Sequence, residues 1–119
     1  MSGDRLTATP PDVPLCALAD LPDPGARNLV LEIGSRRFHG FLVRRGDAVT
    51  GFVDRCPHQG LPLARTLDAY LTPDGALIAC SWHGALFRPD DGHCVGGPCA
   101  GAALTAWPVA VRDGIVRTA

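Results

Sequence analysis

The sequence predicts an all-β domain built from short antiparallel strands. Its apolar runs are four to seven residues long, and most contain β-branched or aromatic residues, as strands do. Turn signals such as Asp91-Gly92 and Asp113-Gly114 separate nearly all of these runs, which favours hairpins. One stretch has helical spacing of its apolar residues, and it is too short to change the fold class.

Six strands are predicted from these runs. They are Leu29–Ile33, Phe38–Arg44, Ala48–Val53, Ala76–Ala79, Val109–Arg112 and Ile115–Thr118. The remaining turns are predicted at Gly34-Ser35, Arg45-Gly46-Asp47 and Pro73-Asp74-Gly75. The helical stretch is Leu61 to Leu71, and Pro62 and Pro73 keep it short.

The length of 119 residues fits one small domain. Residues 1–14 contain Pro10, Pro11 and Pro14 among small and polar residues, which indicates a flexible N-terminal lead-in. Residues 15–119 are therefore expected to form a single domain. No internal repeat of 20 to 50 residues accompanies them, so a solenoid or propeller is not indicated.

Composition excludes several classes of function. The net charge is -1 and all eleven cations are arginine, which is not the basic surface that nucleic acid requires. No apolar run reaches the length of a membrane span, and the first residues lack the apolar core of a signal peptide. We expect a cytoplasmic protein with no membrane partner. Five cysteines, an odd number, fit metal binding or free thiols better than a disulfide framework.

Two Cys–His pairs form the candidate metal-binding site. Cys56-Pro57-His58 and Cys80-Ser81-Trp82-His83 each place a thiol and an imidazole in one short segment. Pro57 restricts the backbone of the first segment before any metal binds. On residue types alone, these ligands suit either a tetrahedral zinc ion or an iron–sulfur cluster.

The full pattern resembles the Rieske iron–sulfur proteins. The matching stretches are Cys56-Pro57-His58-Gln59-Gly60-Leu61-Pro62-Leu63, Cys80-Ser81-Trp82-His83-Gly84-Ala85-Leu86-Phe87, Asp91-Gly92 and Gly96-Gly97-Pro98. The resemblance runs from about Val49 to the C-terminus and implies a Rieske-like fold with a cluster-binding part at about residues 54–100. It also favours iron over zinc, because zinc motifs rarely space paired ligands as tightly as Cys-x-His.

The resemblance implies one [2Fe–2S] cluster and a role for each ligand. Cys56 and Cys80 would bind the inner iron as thiolates, and His58 and His83 would bind the outer iron that accepts the electron. Neutral imidazoles lower the negative charge on the cluster, which makes reduction easier. Gly96-Gly97-Pro98 would correspond to the loop that covers one side of the cluster.

The positions around the ligands indicate a low-potential member of the family. Leu61 and Trp82 stand where high-potential Rieske proteins have a disulfide, and Ala85 and Phe87 stand where they have a serine and a tyrosine. Those hydroxyl groups stabilise the reduced cluster by hydrogen bonds, and neither replacement can donate one. We therefore predict a potential near the low end of the Rieske range, about -150 mV.

The resemblance to soluble Rieske ferredoxins implies an electron carrier and not an enzyme. Such a carrier binds transiently to a flavin reductase and to a terminal oxygenase, and binds no organic substrate itself. The residues expected to surround the exposed histidines are neutral, which favours docking by apolar shape. These residues are Gln59, Gly60, Leu61, Pro62, Trp82 and Pro98.

Two other roles stay open on the sequence. The chain could be a Rieske-like small subunit of a larger oxidoreductase such as nitrite reductase, although retention of all four ligands favours electron transport. It could also be a non-redox interaction module that the cluster merely keeps folded. Copurification with a large partner would favour the first of these.

The remaining reactive residues are assigned no chemistry. Cys16, Cys94 and Cys99 are expected to be small buried hydrophobic residues, and His39 and His93 to be structural or exposed. Asp54, Arg65 and Asp68 lie near the ligands in sequence and are expected to be solvated surface charges.

Overall fold

The computed structural model describes residues 5–6, 8–55, 70–80, 84–97 and 101–119. Ten strands lie in these ranges: β1 (Arg5–Leu6), β2 (Pro14–Ala17), β3 (Gly25–Ile33), β4 (Arg36–Arg45), β5 (Ala48–Val53), β6 (Ile78–Ala79), β7 (Leu86–Phe87), β8 (Cys94–Gly96), β9 (Val109–Arg112) and β10 (Ile115–Thr118). Within the same ranges, the helical structure is confined to a 3-10 turn at Leu18–Asp20. The prediction of an all-β fold is confirmed.

The largest sheet is built around β4. Strand β3 pairs antiparallel with β4 from Gly25 opposite Arg44 to Ile33 opposite Arg36. Strand β5 pairs antiparallel with the second half of β4, and the short β1 pairs parallel with Arg37 and Phe38. Since a strand has two hydrogen-bonding edges, β1 and β5 share the edge of β4 that faces away from β3.

Two smaller antiparallel sheets flank this one. The first has the order β2-β10-β9, and the second has the order β6-β7-β8. The second sheet is made of strands of two or three residues and carries the second Cys–His segment at the β6–β7 connection.

Strand β4 buries both of its faces, and the described residues form a hydrophobic core on each side of it. Side chains alternate between the faces of a strand, and Phe41 and Val43 enter one core while Phe38 and Leu42 enter the other. The Tyr70 core comprises Ala26, Phe41, Val43, Phe52, Tyr70, Ile78, Cys80, Ala85, Phe87, Cys94 and Leu104. The Trp107 core comprises Leu21, Phe38, Leu42, Val53, Trp107 and Val116.

Trp107 occupies the centre of its core because two glycines leave space for it. A Cβ at Gly40 would lie 2.7 Å from Trp107 Cε3, and one at Gly51 would lie 2.6 Å from the Trp107 carbonyl oxygen. The indole ring packs on Phe38 with centroids 4.6 Å apart. Its Nε1 donates a hydrogen bond of 2.8 Å to Thr9 Oγ1, which satisfies the polar atom of this buried side chain.

The segment expected to be a flexible lead-in is hydrogen-bonded to the rest of the chain where it is described. Thr118 Oγ1 donates to the Pro10 carbonyl oxygen, and Asp12 forms ion pairs with Arg112 at 2.7 Å and Arg117 at 3.4 Å. The proposed division at residues 14 and 15 stays a prediction. The contacts nevertheless tie part of residues 1–14 to β9 and β10.

The predicted strand bounds agree best with the structure where turn residues lie at the ends of a strand. Strands β5, β9 and β10 have the predicted bounds, whereas β3 begins four residues earlier than predicted, at Gly25. The sequence did not indicate β1, β2, β7 or β8, because strands of two to four residues carry little pattern. Residues 61–69 of the predicted helix lie outside the described residues, and Leu71 instead forms a bridge with Ile78.

Candidate metal centre

Cys80 lies at the buried end of the β6–β7 hairpin. Its backbone N–H donates to the Ala85 carbonyl oxygen at 2.8 Å, and its carbonyl oxygen accepts from the Gly84 N–H at 3.0 Å. These two bonds hold Cys80 next to Gly84 and Ala85. Cys80 is 1% exposed and belongs to the Tyr70 core. The loop therefore fixes the position of one predicted thiolate ligand at the edge of a packed core.

Gly97 packs directly against the backbone of this loop. Its φ is +86°, and a Cβ there would lie 2.8 Å from Ala85 Cα and 3.0 Å from the Gly84 carbonyl oxygen. Backbone atoms cannot move aside as the end of a side chain can, so residue 97 must be glycine for this approach. The segment predicted to cover the cluster thus touches the second ligand loop at Gly97. Pro98 lies outside the described residues.

The turn between β7 and β8 is fixed by Asp91. Its carboxylate accepts hydrogen bonds from the Arg88 guanidinium at 2.7 and 3.1 Å and from the His93 N–H at 2.9 Å. The backbone hydrogen bond from His93, together with Arg88, holds the pKa of the Asp91 carboxyl below its usual value. His93 itself is exposed, as predicted. This turn sets the path of β8 toward Gly97.

Asp54 ends the strand that leads into the first Cys–His pair. Its N–H donates to the His39 carbonyl oxygen at 2.9 Å, and the Arg55 N–H then bonds back to Val53 at 2.8 Å. This tight turn directs the chain away from the sheet just before Cys56. Asp54 is only 6% exposed, so the prediction that it is a solvated surface charge is wrong.

A buried carboxylate needs hydrogen-bond partners, and Asn28 and Tyr70 supply them to Asp54 from distant parts of the chain. Tyr70 Oη donates to Asp54 Oδ2 at 2.8 Å, and Asn28 Nδ2 reaches the same oxygen at 3.2 Å. Asn28 Nδ2 also donates to Tyr70 Oη at 2.8 Å. Sequence reasoning did not identify Asn28 or Tyr70, because neither lies near a ligand in the sequence.

Tyr70 also contacts strand β4 and the residue that precedes the second ligand segment. Its ring stacks on Phe41 with centroids 4.2 Å apart and planes at 8°. Its carbonyl oxygen accepts from the Ala79 N–H at 2.8 Å, and Ala79 directly precedes Cys80. Tyr70 is therefore hydrogen-bonded to Asp54 and Ala79, which precede Cys56 by two residues and Cys80 by one residue in the sequence.

The described residues contain one of the four predicted ligands. Cys80 is placed as above, whereas Cys56, His58 and His83 lie outside the described residues. In the described ranges no three histidine, cysteine or acidic side chains converge as a metal site. Of the cysteines assigned no chemistry, Cys94 is buried as predicted, Cys16 is half-buried, and Cys99 lies outside the described residues.

Comparison with known families decides the identity of this centre. A model of the Rieske [2Fe–2S] domain matches residues 12–111. The chain belongs to this family. Rieske proteins carry a [2Fe–2S] cluster, so this protein is a one-electron carrier with an iron–sulfur cofactor.

Solved structures of Rieske ferredoxins share the fold. The chain matches a chain of a complex of reduced oxygenase and oxidised ferredoxin in carbazole 1,9a-dioxygenase, with 27% identity and a TM-score of 0.71 over 90% of this chain and 100% of that one. The carbazole 1,9a-dioxygenase ferredoxin of Nocardioides aromaticivorans IC177 matches at 20% identity and TM-score 0.71, covering 92% of this chain and 98% of that one.

Two further structures extend the comparison. The ferredoxin of Sphingomonas yanoikuyae B1 matches at 22% identity and TM-score 0.67, covering 90% of this chain and 96% of that one. The terminal oxygenase of carbazole 1,9a-dioxygenase from Novosphingobium sp. KA1 matches at 25% identity and TM-score 0.70, over 91% of this chain but 30% of the oxygenase. The comparison with curated proteins gave no match. Among the described residues, no helix is long and apolar enough to cross a membrane.

The described part of the Rieske centre fits a cluster bound through cysteine. Two backbone hydrogen bonds to Gly84 and Ala85 hold the backbone of Cys80 in place. Gly84, next to the second Cys–His segment, has a φ of +71°, and among the described residues a Cβ at this position would meet no atom within 4 Å. When bound, the cluster accepts and returns one electron.

Proposed function

We propose that Cys56 and Cys80 bind the inner iron of the cluster and that His58 and His83 bind the outer iron. The proposal is supported by the membership of the Rieske family and by the spacing of the four residues in the matched range. It is also supported by Cys80, whose buried position suits the inner iron, the one farther from solvent. Exposed histidines would then form the point of electron exchange.

The protein passes electrons from a flavin reductase to a terminal oxygenase of the ring-hydroxylating type. The observation that carries this proposal is the match to a complete chain of an oxygenase–ferredoxin complex at 27% identity. The oxygenase from Novosphingobium sp. KA1, by contrast, is covered over only 30% of its length. In this arrangement the substrate chemistry belongs to the oxygenase, and the carrier acts in the cytoplasm.

A low reduction potential is part of the proposed function. Ala85 and Phe87 are both fully buried beside the second ligand loop, and neither side chain has a hydroxyl group. A hydrogen bond to a charged acceptor contributes about 1.5–3 kcal/mol, and its absence disfavours the more negative reduced state. We therefore expect a potential near about -150 mV, the low end of the Rieske range.

Docking to both partners is proposed to depend on apolar shape. Three exposed residues next to the second ligand loop carry no charge: Gly84, Gly97 and Val95, the last 49% exposed. A neutral surface gains little from electrostatic steering, so association is expected to depend weakly on salt.

Stopped-flow mixing of the reduced protein with an oxidised terminal oxygenase tests the proposal. We expect the ferredoxin absorbance to return to the oxidised form as the oxygenase is reduced, with rates that change little between 50 and 200 mM salt, a range in which about a twofold change in screening length occurs. A flavin reductase should then restore the reduced carrier. Failure to exchange electrons with any such oxygenase, combined with stable coelution with another large protein, would contradict the proposal.

A further inference from the structure

Three side chains from distant parts of the chain meet at Tyr70, in the core that also contains Cys80. Asn28 lies on β3, Asp54 follows β5, and Tyr70 follows the segment that contains the first Cys–His pair. Asp54 and Tyr70 are 6% and 2% exposed, and the three side chains are mutually hydrogen-bonded at 2.8 to 3.2 Å. In the described part of the chain, no buried side-chain polar atom lacks a partner. The cluster is thus a satisfied polar network inside an apolar core.

The network is bonded close to both cysteine ligands along the chain. Asp54 precedes Cys56 by two residues, a span of at most about 7 Å. Through its carbonyl oxygen, Tyr70 accepts a hydrogen bond from Ala79, the residue before Cys80. One residue therefore fixes the start of the first ligand segment by its hydroxyl and the start of the second by its backbone.

The network is attached to the β3–β4 ladder, the longest in the described structure. Asn28 pairs with Phe41 in the β3–β4 ladder, and Phe41 is the residue on which the Tyr70 ring stacks. Movement of Tyr70 would require these contacts to break together. The residues that lead into the two ligand segments are thereby held against the β3–β4 sheet.

We propose that Tyr70, oriented by Asn28, is a positioning residue that holds Asp54 and Ala79, the residues that lead into the two cysteine ligands of the proposed set. The inference rests on the proposed ligand set. Two thiolates that share one iron must lie at a fixed separation, and small displacements of ligands change the electronic structure of a metal centre. The hydroxyl of Tyr70 holds Asp54, two residues before Cys56, while its carbonyl group holds Ala79, the residue before Cys80.

The test compares Tyr70→Phe with Thr118→Val. Tyr70→Phe removes only the hydroxyl and keeps the stacked ring. Thr118→Val removes a buried hydroxyl on the far sheet that also makes two hydrogen bonds of 2.7 Å, since it accepts from the Val13 N–H and donates to the Pro10 carbonyl oxygen. Both variants lose hydrogen bonds of a similar kind, so a purely structural effect should appear equally in their thermal unfolding.

The readouts are the EPR spectrum of the reduced protein, its midpoint potential and the rate of cluster loss well below the unfolding temperature. For Tyr70→Phe we expect shifted or broadened g values, a moved potential and roughly 10- to 100-fold faster bleaching of the visible absorbance. For Thr118→Val all three should match the wild type. Asn28→Ala, which leaves Tyr70 on Phe41, should change the spectrum in the same direction by a smaller amount.

Two results would overturn the inference. One is a Tyr70→Phe protein with wild-type EPR, potential and bleaching rate. The other, if Tyr70→Phe does not fold, is an Asn28→Ala protein with wild-type values of all three. A colourless wild-type protein would instead overturn the proposed function, and the inference would fail with it.

Discussion

The Trp107 core and the Tyr70 core are held together by different kinds of contact. The Trp107 core lies between strands joined in regular ladders, of which β3–β4 pairs nine residues in register. The Tyr70 core lies on the other face of β3, β4 and β5, and its opposite side is formed by strands of two or three residues, side-chain hydrogen bonds and loop closures. The difference indicates that one half of the molecule is a frame, while the other half depends on the cofactor it holds.

Removal of a cluster ligand should produce the largest difference in stability between the two cores. Cys80→Ala is expected to abolish the visible absorbance and to lower the hydrogen-exchange protection of residues 70–80 and 84–97, because metal binding and folding are coupled there. Strands β9 and β10 should keep their protection. Cys16→Ala is the matched control, since Cys16 is half-buried outside the predicted ligand set and should retain colour. Equal loss of protection in both halves would contradict the comparison.

Truncation of a side chain in the Trp107 core should have the opposite effect: it should lower the stability of the protein and leave the cluster unchanged. Trp107→Ala removes a side chain that is 1% exposed and contacts Phe38, so we expect the free energy of unfolding to fall by about 3–5 kcal/mol. Chemical denaturation followed by far-UV circular dichroism measures this loss. The EPR spectrum of the protein that remains folded should be unchanged. An altered spectrum would show that the two cores are not independent.

Gly97→Ala should speed loss of the cluster by more than the backbone strain at residue 97 alone explains. Alanine at φ +86° costs about 1–2 kcal/mol, and here its Cβ would also meet Ala85 Cα at 2.8 Å. We expect faster bleaching of the visible absorbance. Gly114→Ala is the control, because Gly114 has a φ of +74° with no atom within 4 Å of a Cβ. Equal bleaching rates in the two variants would refute the packing role of Gly97.

The smallest effect is expected at Asp91, which is exposed. Its pKa in the folded protein is lowered by the His93 N–H and by Arg88, so its stabilising contribution is present above the ordinary carboxyl pKa of about 3.9 and is lost as the pH falls below that value. Asp91→Asn should lower the thermal midpoint slightly at pH 7. The difference between variant and wild type should shrink as the pH falls through the range below about 4. A constant difference at all pH values would contradict this assignment.

The sequence predicted the frame better than the surroundings of the metal centre. Strands β5, β9 and β10 were recovered because turn residues bracket them and their side chains suit strands. The burial of Asp54 was missed because its partners, Asn28 and Tyr70, lie 26 and 16 residues away. Such contacts carry no local periodicity. A useful signal was present: Tyr70 is the single tyrosine, and it follows the first ligand segment.

The motif spacing was sufficient to predict the family and the cofactor, but not to predict how residues pack around the cluster ligands. The four ligands and the Gly-Pro segment identified the Rieske pattern, and the family match over residues 12–111 confirms the family. The close approach of Gly97 to Ala85 depends on how two separate hairpins pack. That packing follows from tertiary structure, which turn dipeptides alone do not specify.

Pulsed EPR of the reduced protein labelled with ¹⁵N-histidine tests the central claim most directly. Ligation by two cysteines and two histidines predicts two strongly coupled nitrogen nuclei, whose couplings change from those of ¹⁴N to those of ¹⁵N on labelling. His58→Ala or His83→Ala should remove the two-nitrogen signal. A reduced iron–sulfur protein with no coupled histidine nitrogen, or a colourless protein that binds zinc, would contradict the assignment.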